Sequence, residues 1–209
     1  YKRQGKSTVV NLIPRFYDAS AGQVCFFGQD VRKYRRKELR DQIGIVPQKA
    51  VLFAGTVREN MQWGKKDATD EEIWEALKTA QAEEFIRAKE GGLDANIEQG
   101  GRNLSGGQRQ RLTIARALVK KPRVLILDDS ASALDYATDA ALRKAIRQME
   151  GAPTVFIVSQ RTSSLMSADR ILVLDDGEAT GYGTHEELLK NCQTYREIYN
   201  SQYGKKEEA

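Results

Sequence analysis

The sequence predicts an α/β protein with a parallel sheet at its core. Two dense apolar runs, residues 124–127 and 155–158, have the length and composition of strands that are buried on both faces. A helical pattern over about residues 138–149 lies between them. A strand, a helix and a second strand in this order form a crossover unit, in which the two strands run parallel.

The stretch before this unit has a helical character. Thr69, with Glu72 three residues later, forms a capping box, and apolar residues then recur on one helix face. We therefore predict a helical subdomain over about residues 57–103, within one domain that spans residues 1–209. A second helix is predicted over residues 109–120.

Smaller elements are predicted near both ends of the chain. Short apolar runs at residues 24–27 and 43–46 indicate strands, and the pattern on either side of Gly177 indicates a hairpin. Thr184 is the predicted cap of a further helix, which would put His185 on the surface in its first turn.

The composition is that of an ordinary globular protein, with 40% hydrophobic and 30% charged residues. No stretch approaches the roughly 20 apolar residues needed to cross a bilayer, so we expect this chain by itself to be soluble. The net charge of +4 is mild and favours solubility over nucleic-acid binding, so no nucleic-acid partner is expected. Cys25 and Cys192 match no metal or redox spacing and are expected to be free thiols.

The first chemical motif stands at the start of the first helix. Gly5, Lys6, Ser7 and Thr8 have the form of the end of a P-loop. Backbone N–H groups at such a helix start hold phosphates, the lysine neutralises their charge, and the serine hydroxyl ligates Mg²⁺. The motif therefore predicts ATP and Mg²⁺ as ligands.

Two further motifs lie close together in the second half of the chain. The strand at residues 124–127 ends in Asp128, a carboxylate suited to hold Mg²⁺ through water. A glycine-rich pentapeptide ends twenty residues before Asp128, at the start of the helix predicted over residues 109–120. Bare amides at a helix N-terminus favour an anion, and glycines let a phosphate approach closely. The pentapeptide consists of Leu104, Ser105, Gly106, Gly107 and Gln108.

Together the motifs resemble those of the ATP-binding cassette (ABC) ATPase family over nearly the whole chain. Residues 104–108 resemble its signature motif, the segment ending in Gln48 its Q-loop, and the segment ending in Asp135 its D-loop. The resemblance implies a P-loop NTPase fold with a helical subdomain. It also implies that Ser7, Gln48 and Asp128 surround Mg²⁺ and that a second such domain packs head to tail against this one.

Other segments resemble the exporter branch of that family, namely residues 11–18, 55–60 and 183–188. This resemblance implies a transmembrane domain in the same full-length chain and a position at the cytoplasmic face of a membrane. We expect the first strands of the fold to be missing, because the P-loop pattern needs a glycine before Tyr1. Arg3 stands where the family normally has another glycine, and its side chain would crowd the phosphates.

Two catalytic positions depart from the family pattern. Asp129 replaces the glutamate expected to act as general base, which moves the carboxylate back by one methylene. Gln160 replaces the switch histidine that contacts the γ-phosphate, and an amide does not titrate near neutral pH. In this family each ATP lies between one domain's P-loop and the other's signature. We therefore expect a degenerate site on this chain and an intact signature that completes the site of a heterodimeric partner.

Three other interpretations stay open at this point. A homodimeric exporter could tolerate Asp129 and Gln160, or the chain could be a non-hydrolysing ATP-dependent switch. A soluble ABC protein that acts on ribosomes or DNA is favoured only by the basic charge. The transported substrate is not specified by these residues.

Overall fold

The computed structural model describes residues 5–203, with positions 131 and 132 described by their backbone only. The expectations about Tyr1 and Arg3 lie outside the described residues. The helices are α1 (Lys6–Leu12), α2 (Arg36–Asp41), α3 (Val57–Gln62), α4 (Asp70–Thr79), α5 (Glu83–Arg87), α6 (Gly106–Leu118), α7 (Tyr136–Arg147), α8 (His185–Asn191) and α9 (Gln193–Tyr203). The strands are β1 (Cys25–Phe26), β2 (Gln29–Asp30), β3 (Ile43–Val46), β4 (Gly55–Thr56), β5 (Asn96–Ile97), β6 (Val124–Asp128), β7 (Thr154–Val158), β8 (Ile171–Asp175) and β9 (Glu178–Gly183).

A parallel sheet with the strand order β3-β6-β7 forms the centre of the fold. Helix α7 connects β6 to β7, so the predicted crossover unit and the α/β fold class are confirmed. Leu127 of β6 pairs with Ile157 of β7, and Asp128 pairs with Val158. The carboxyl ends of these two strands therefore lie side by side.

Strand β6 separates two hydrophobic cores because successive side chains point to opposite faces of a sheet. Val124 and Ile126 pack in one core with Val10 of α1. Leu125 and Leu127 pack in the other, larger core, which includes the inward face of α6. Burial on both faces explains why β6 is an uninterrupted apolar run.

The stretch predicted to be helical contains α3, α4 and α5, and the Thr69 capping box is confirmed at the start of α4. The Thr69 side chain accepts a hydrogen bond from the Glu72 N–H, and the Glu72 carboxylate accepts one from the Thr69 N–H. The stretch predicted as a helical subdomain is not entirely helical. Strand β5 pairs antiparallel with β4 and ties the far end of the stretch back to its beginning. The proposed subdomain boundaries, 57–103, stay a prediction.

The predicted surface position of His185 was wrong. His185 is only 9% exposed, because α9 packs over it. Its Nδ1 atom lies 2.9 Å from the hydroxyl of the buried Tyr195 on that helix. The two residues join α8 to α9. The hairpin predicted around Gly177 is present as β8 and β9, and within residues 5–203 both cysteines are free thiols.

Candidate functional site

The P-loop motif at the start of α1 contacts the carboxylate at the end of β6. Gly5 adopts a left-handed conformation (φ 78°) directly before α1, where glycine is strongly favoured over other residues. In the first turn of the helix, the Ser7 hydroxyl donates a hydrogen bond of 3.1 Å to Oδ1 of Asp128. Lys6 is half-buried and Thr8 is exposed on the same first turn. The P-loop serine and the carboxylate at the end of β6 therefore meet, although 121 positions separate them.

This pair has the donor chemistry that Mg²⁺ requires. A hydroxyl and a carboxylate both offer oxygen, the ligand atom that this cation prefers. Within the described residues, no group of three or more His, Cys, Asp and Glu side chains could hold a metal ion. Mg²⁺ typically combines one or two protein carboxylates with waters and substrate phosphates. The Ser7–Asp128 pair thus fits Mg²⁺ that arrives with a nucleotide.

The acidic residue after β6 is held in an unusual backbone conformation. Asp129 has φ 47°, a left-handed value that aspartate tolerates better than most residues. Its N–H donates a 2.8 Å hydrogen bond to the carbonyl of Val158 at the end of β7. The Gln48 side chain, which follows β3, donates from Nε2 to Oδ2 of Asp129 at 3.2 Å. The carboxyl ends of all three strands are thereby linked at one edge of the sheet.

Gln160 follows β7 at this same edge and is exposed. Its backbone carbonyl accepts a 2.7 Å hydrogen bond from Nε2 of Gln202, near the end of α9. The sequence analysis did not single out Gln202. No motif signals it, because the contact spans 42 positions and depends on how α9 docks.

The glycine-rich pentapeptide forms the start of α6, as predicted. The Ser105 hydroxyl accepts from the Gln108 N–H at 3.2 Å, and the Gln108 side chain accepts from the Ser105 N–H at 3.0 Å. Ser105 and Gly106 are exposed, whereas Leu104 is buried. A Cβ atom on Gly107 would lie 3.2 Å from the Ala133 carbonyl oxygen. The glycine therefore lets the helix start pack against the turn after β6 while Ser105 and Gly106 face outward.

A cleft of about 600 Å³ lies between the Gln48 segment and the start of α6. Gln48, Arg102 and Gly106 are among its lining residues. The predicted Q-loop and signature residues thus border one open space.

Asp135 has a structural task in this fold. It caps α7, and its carboxylate accepts from the Thr138 N–H at 2.9 Å and from the Thr138 hydroxyl at 2.7 Å. These two bonds stabilise the charged carboxylate and lower its pKa, with the backbone bond as the larger cause.

The parallel sheet, the glycine before α1 and the Ser7–Asp128 contact define a nucleotide-binding domain of the P-loop NTPase class. The family model for ABC transporters matches residues 4–132, and this chain belongs to that family. Members of the family generally bind ATP and act as ATPases. In the part of the chain that the structure describes, no helix has both the length and the apolar character to span a membrane.

Named relatives and a solved structure support this assignment. An uncharacterized ABC transporter ATP-binding protein of Mycobacterium tuberculosis is 47% identical over 201 residues, which are 95% of this chain and 34% of that protein. A Bacillus subtilis protein named for multidrug export as an ATP-binding/permease protein is 43% identical over 198 residues, 95% of this chain and 34% of its own length. The structure of a bacterial Atm1-family ABC exporter with ATP bound superposes with a TM-score of 0.90 at 37% identity, covering 96% of this chain and 35% of that one. The chain therefore spans about a third of the length of these relatives.

Proposed function

We propose that this chain is the ATP-binding and ATP-hydrolysing part of an ABC exporter, at the cytoplasmic face of a membrane, and that it powers export of a substrate. The contact between Ser7 and Asp128 is the observation that carries this proposal, since it brings a hydroxyl and a carboxylate suited to Mg²⁺ together at the start of α1. The relatives named for export and the superposed exporter support the transport role.

Each residue of the site has a task in this function. The N–H groups that follow Gly5 hold the β- and γ-phosphates together with Lys6 and Thr8. Ser7, Gln48 and Asp128 provide oxygen atoms around Mg²⁺, which offsets the negative charge of the phosphates when it is bound. The left-handed Gly5 supports this assignment because a side chain at that position would be strained.

The hydrolytic step at this site is proposed to be weak. Asp129 is one methylene shorter than glutamate, and Gln48 already donates to its Oδ2 atom. A general base must reach its proton partner at about 2.6–3.2 Å, and a misplacement of about 1 Å can cost on the order of 100-fold in rate. Gln160 can donate a hydrogen bond to the γ-phosphate, but it has no proton to exchange near neutral pH.

The signature is proposed to serve a partner. Ser105 and Gly106 are exposed at the start of a 13-residue helix, where oriented N–H groups favour an anion. In a head-to-tail pair they would contact the γ-phosphate held by the second domain. This arrangement gives a heterodimer in which the partner's site performs most of the hydrolysis.

A transmembrane domain of the same full-length protein is the second proposed partner. Trp63 is 70% exposed and Phe53 is 44% exposed, and their rings lie 4.9 Å apart. Two large aromatic side chains in one exposed patch are typical of a surface that another domain covers. Phe53 lies five residues after Gln48, a position that would couple that domain to the nucleotide.

Purification of the intact protein tests the proposal. We expect it to hydrolyse ATP slowly alone and much faster with its partner subunit. Full activity of the protein alone would favour the homodimeric exporter. Tight ATP binding without hydrolysis in either case would favour the ATP-dependent switch.

A further inference from the structure

One side chain of the C-terminal helix α9 holds the loop that follows β7. Oε1 of Gln202 accepts from the Thr162 N–H at 2.9 Å and from the Thr162 hydroxyl at 3.0 Å. Nε2 of Gln202 donates to the Gln160 carbonyl at 2.7 Å. The side-chain amide of Gln202 thus forms hydrogen bonds to two residues of the same loop, as acceptor to Thr162 and as donor to Gln160.

These bonds replace a missing helix cap. Residues Thr162–Ser164 form a short 3-10 helix, and Arg161 in front of it provides no side-chain cap. The first N–H groups of a helix need an acceptor from outside the helix. Thr162 is only 2% exposed, so water is a poor substitute. Gln202 provides the acceptor from 40 positions away.

Helix α9 presents Gln202 from a fixed position. Tyr195 lies seven residues earlier, which places both side chains on the same face of the helix. Tyr195 is 2% exposed, bonds to His185 and belongs to a core cluster with Ile171 and Val173 of β8. Tyr195 therefore anchors α9 at one end, and Gln202, which is exposed, reaches the loop at the other end.

The loop is held at both ends, with the Gln160 side chain between them. At its start, the Val158 carbonyl accepts from the Asp129 N–H at 2.8 Å. At its end, Gln202 fixes the Gln160 carbonyl and Thr162. The backbone on either side of Gln160 is thereby tied to the acidic residue of the site and to α9.

We propose that Gln202 is a positioning residue that sets the place of the Gln160 side chain relative to the γ-phosphate. This inference rests on the proposed function, because it takes Gln160 as a γ-phosphate contact. It predicts that α9 contributes to the discrimination between ATP and ADP without touching either nucleotide. Because the proposed function gives Gln160 only the γ-phosphate to contact, general nucleotide affinity should change little.

The test compares ATP with ADP at this chain's own site. In the intact protein with its partner subunit, and with EDTA present to block hydrolysis, labelling of this polypeptide by 8-azido-ATP is competed with ATP or with ADP. A hydrogen bond to a charged group contributes about 10-fold or more to affinity, and a loosened loop loses part of it. We expect Gln202→Ala to lower the preference for ATP by about fivefold, and Gln160→Ala to lower it at least as much.

Gln193→Ala is the matched control, because Gln193 lies on the same helix and bonds only to Glu197 in the described structure. We expect it to keep the full preference for ATP. Hydrogen exchange gives a second readout, since the Thr162 amide should exchange faster in Gln202→Ala than in Gln193→Ala while the melting temperatures stay similar.

The outcomes separate this inference from the proposed function. Loss of ATP preference in Gln160→Ala but not in Gln202→Ala would overturn the positioning role and leave the site assignment intact. An unchanged preference in both variants would overturn the role of Gln160 and this inference together. An equal loss in Gln193→Ala would show a general effect of α9 and would also overturn it.

Discussion

Replacing Ser7 by alanine removes a hydroxyl that donates a 3.1 Å hydrogen bond to Asp128. We propose that this hydroxyl is a ligand of Mg²⁺. Removal of a side chain that supports a metal site typically costs about 10- to 100-fold in metal affinity. We expect Ser7→Ala to weaken binding of ATP in the presence of Mg²⁺ by this factor. Binding of ATP in EDTA should change little, since the phosphate contacts of the backbone N–H groups remain.

The assay is competition for 8-azido-ATP labelling of this polypeptide, with Mg²⁺ and with EDTA. Ser201→Ala is the control, because Ser201 also donates its hydroxyl to a nearby carbonyl, that of Ile198, but lies on α9. An equal loss for Ser7→Ala with and without Mg²⁺ would refute the metal assignment. No loss in either condition would refute the P-loop assignment as well.

Three further predictions concern stability. His185→Leu should lower the free energy of unfolding by about 1–3 kcal/mol, because the buried Tyr195 hydroxyl loses its partner; urea titration measures it, and the double variant with Tyr195→Phe should recover part of the loss. Thr69→Ala should cost about 1 kcal/mol through loss of the α4 cap, measured by the same titration. The pKa of Asp135 is lowered in the folded state. Its contribution to the free energy of unfolding is therefore present above the unfolded aspartate pKa of about 3.9 and is lost as the pH falls through the lower folded value. Asp135→Asn should flatten the decrease of the melting temperature at acid pH, whereas an unchanged decrease would contradict the capping role.

The central strand of the sheet could be predicted because β6 is buried on both faces. The same expectation for residues 155–158 was wrong in burial, since β7 is the edge strand of this three-stranded sheet and its Phe156 is 39% exposed. An uninterrupted apolar run such as residues 124–127 has few alternatives inside a small α/β domain. The caps at Thr69 and Thr184 could be predicted for a different reason, since a capping box is a local pattern of two residues.

Contacts that depend on tertiary docking were beyond the sequence pattern. His185 stands in the first turn of its helix, where a surface position is the usual outcome, but α9 covers it with Tyr195. Gln202 occupies an otherwise ordinary polar helix end, and only the packing of α9 brings it to Thr162. The Ser7–Asp128 contact was expected from the family resemblance, because spacing alone does not bring residues 121 positions apart together.

The central claim is a division of labour between this chain's own site and its signature. ATP hydrolysis by the intact protein with its partner, measured for Ser105→Ala and Asp129→Ala, tests it most directly. Ser105 is proposed to clamp the partner's γ-phosphate, and removal of one such donor typically costs about 100- to 1,000-fold in rate. Thr184→Ala is the control, because Thr184 forms the same capping box on α8 and lies outside the proposed nucleotide site.

We expect Ser105→Ala to abolish most of the activity of the pair, while Asp129→Ala and Thr184→Ala retain most of it. Equal losses from Ser105→Ala and Asp129→Ala would contradict the account. They would show that this chain's own site performs the hydrolysis, as in a homodimeric exporter.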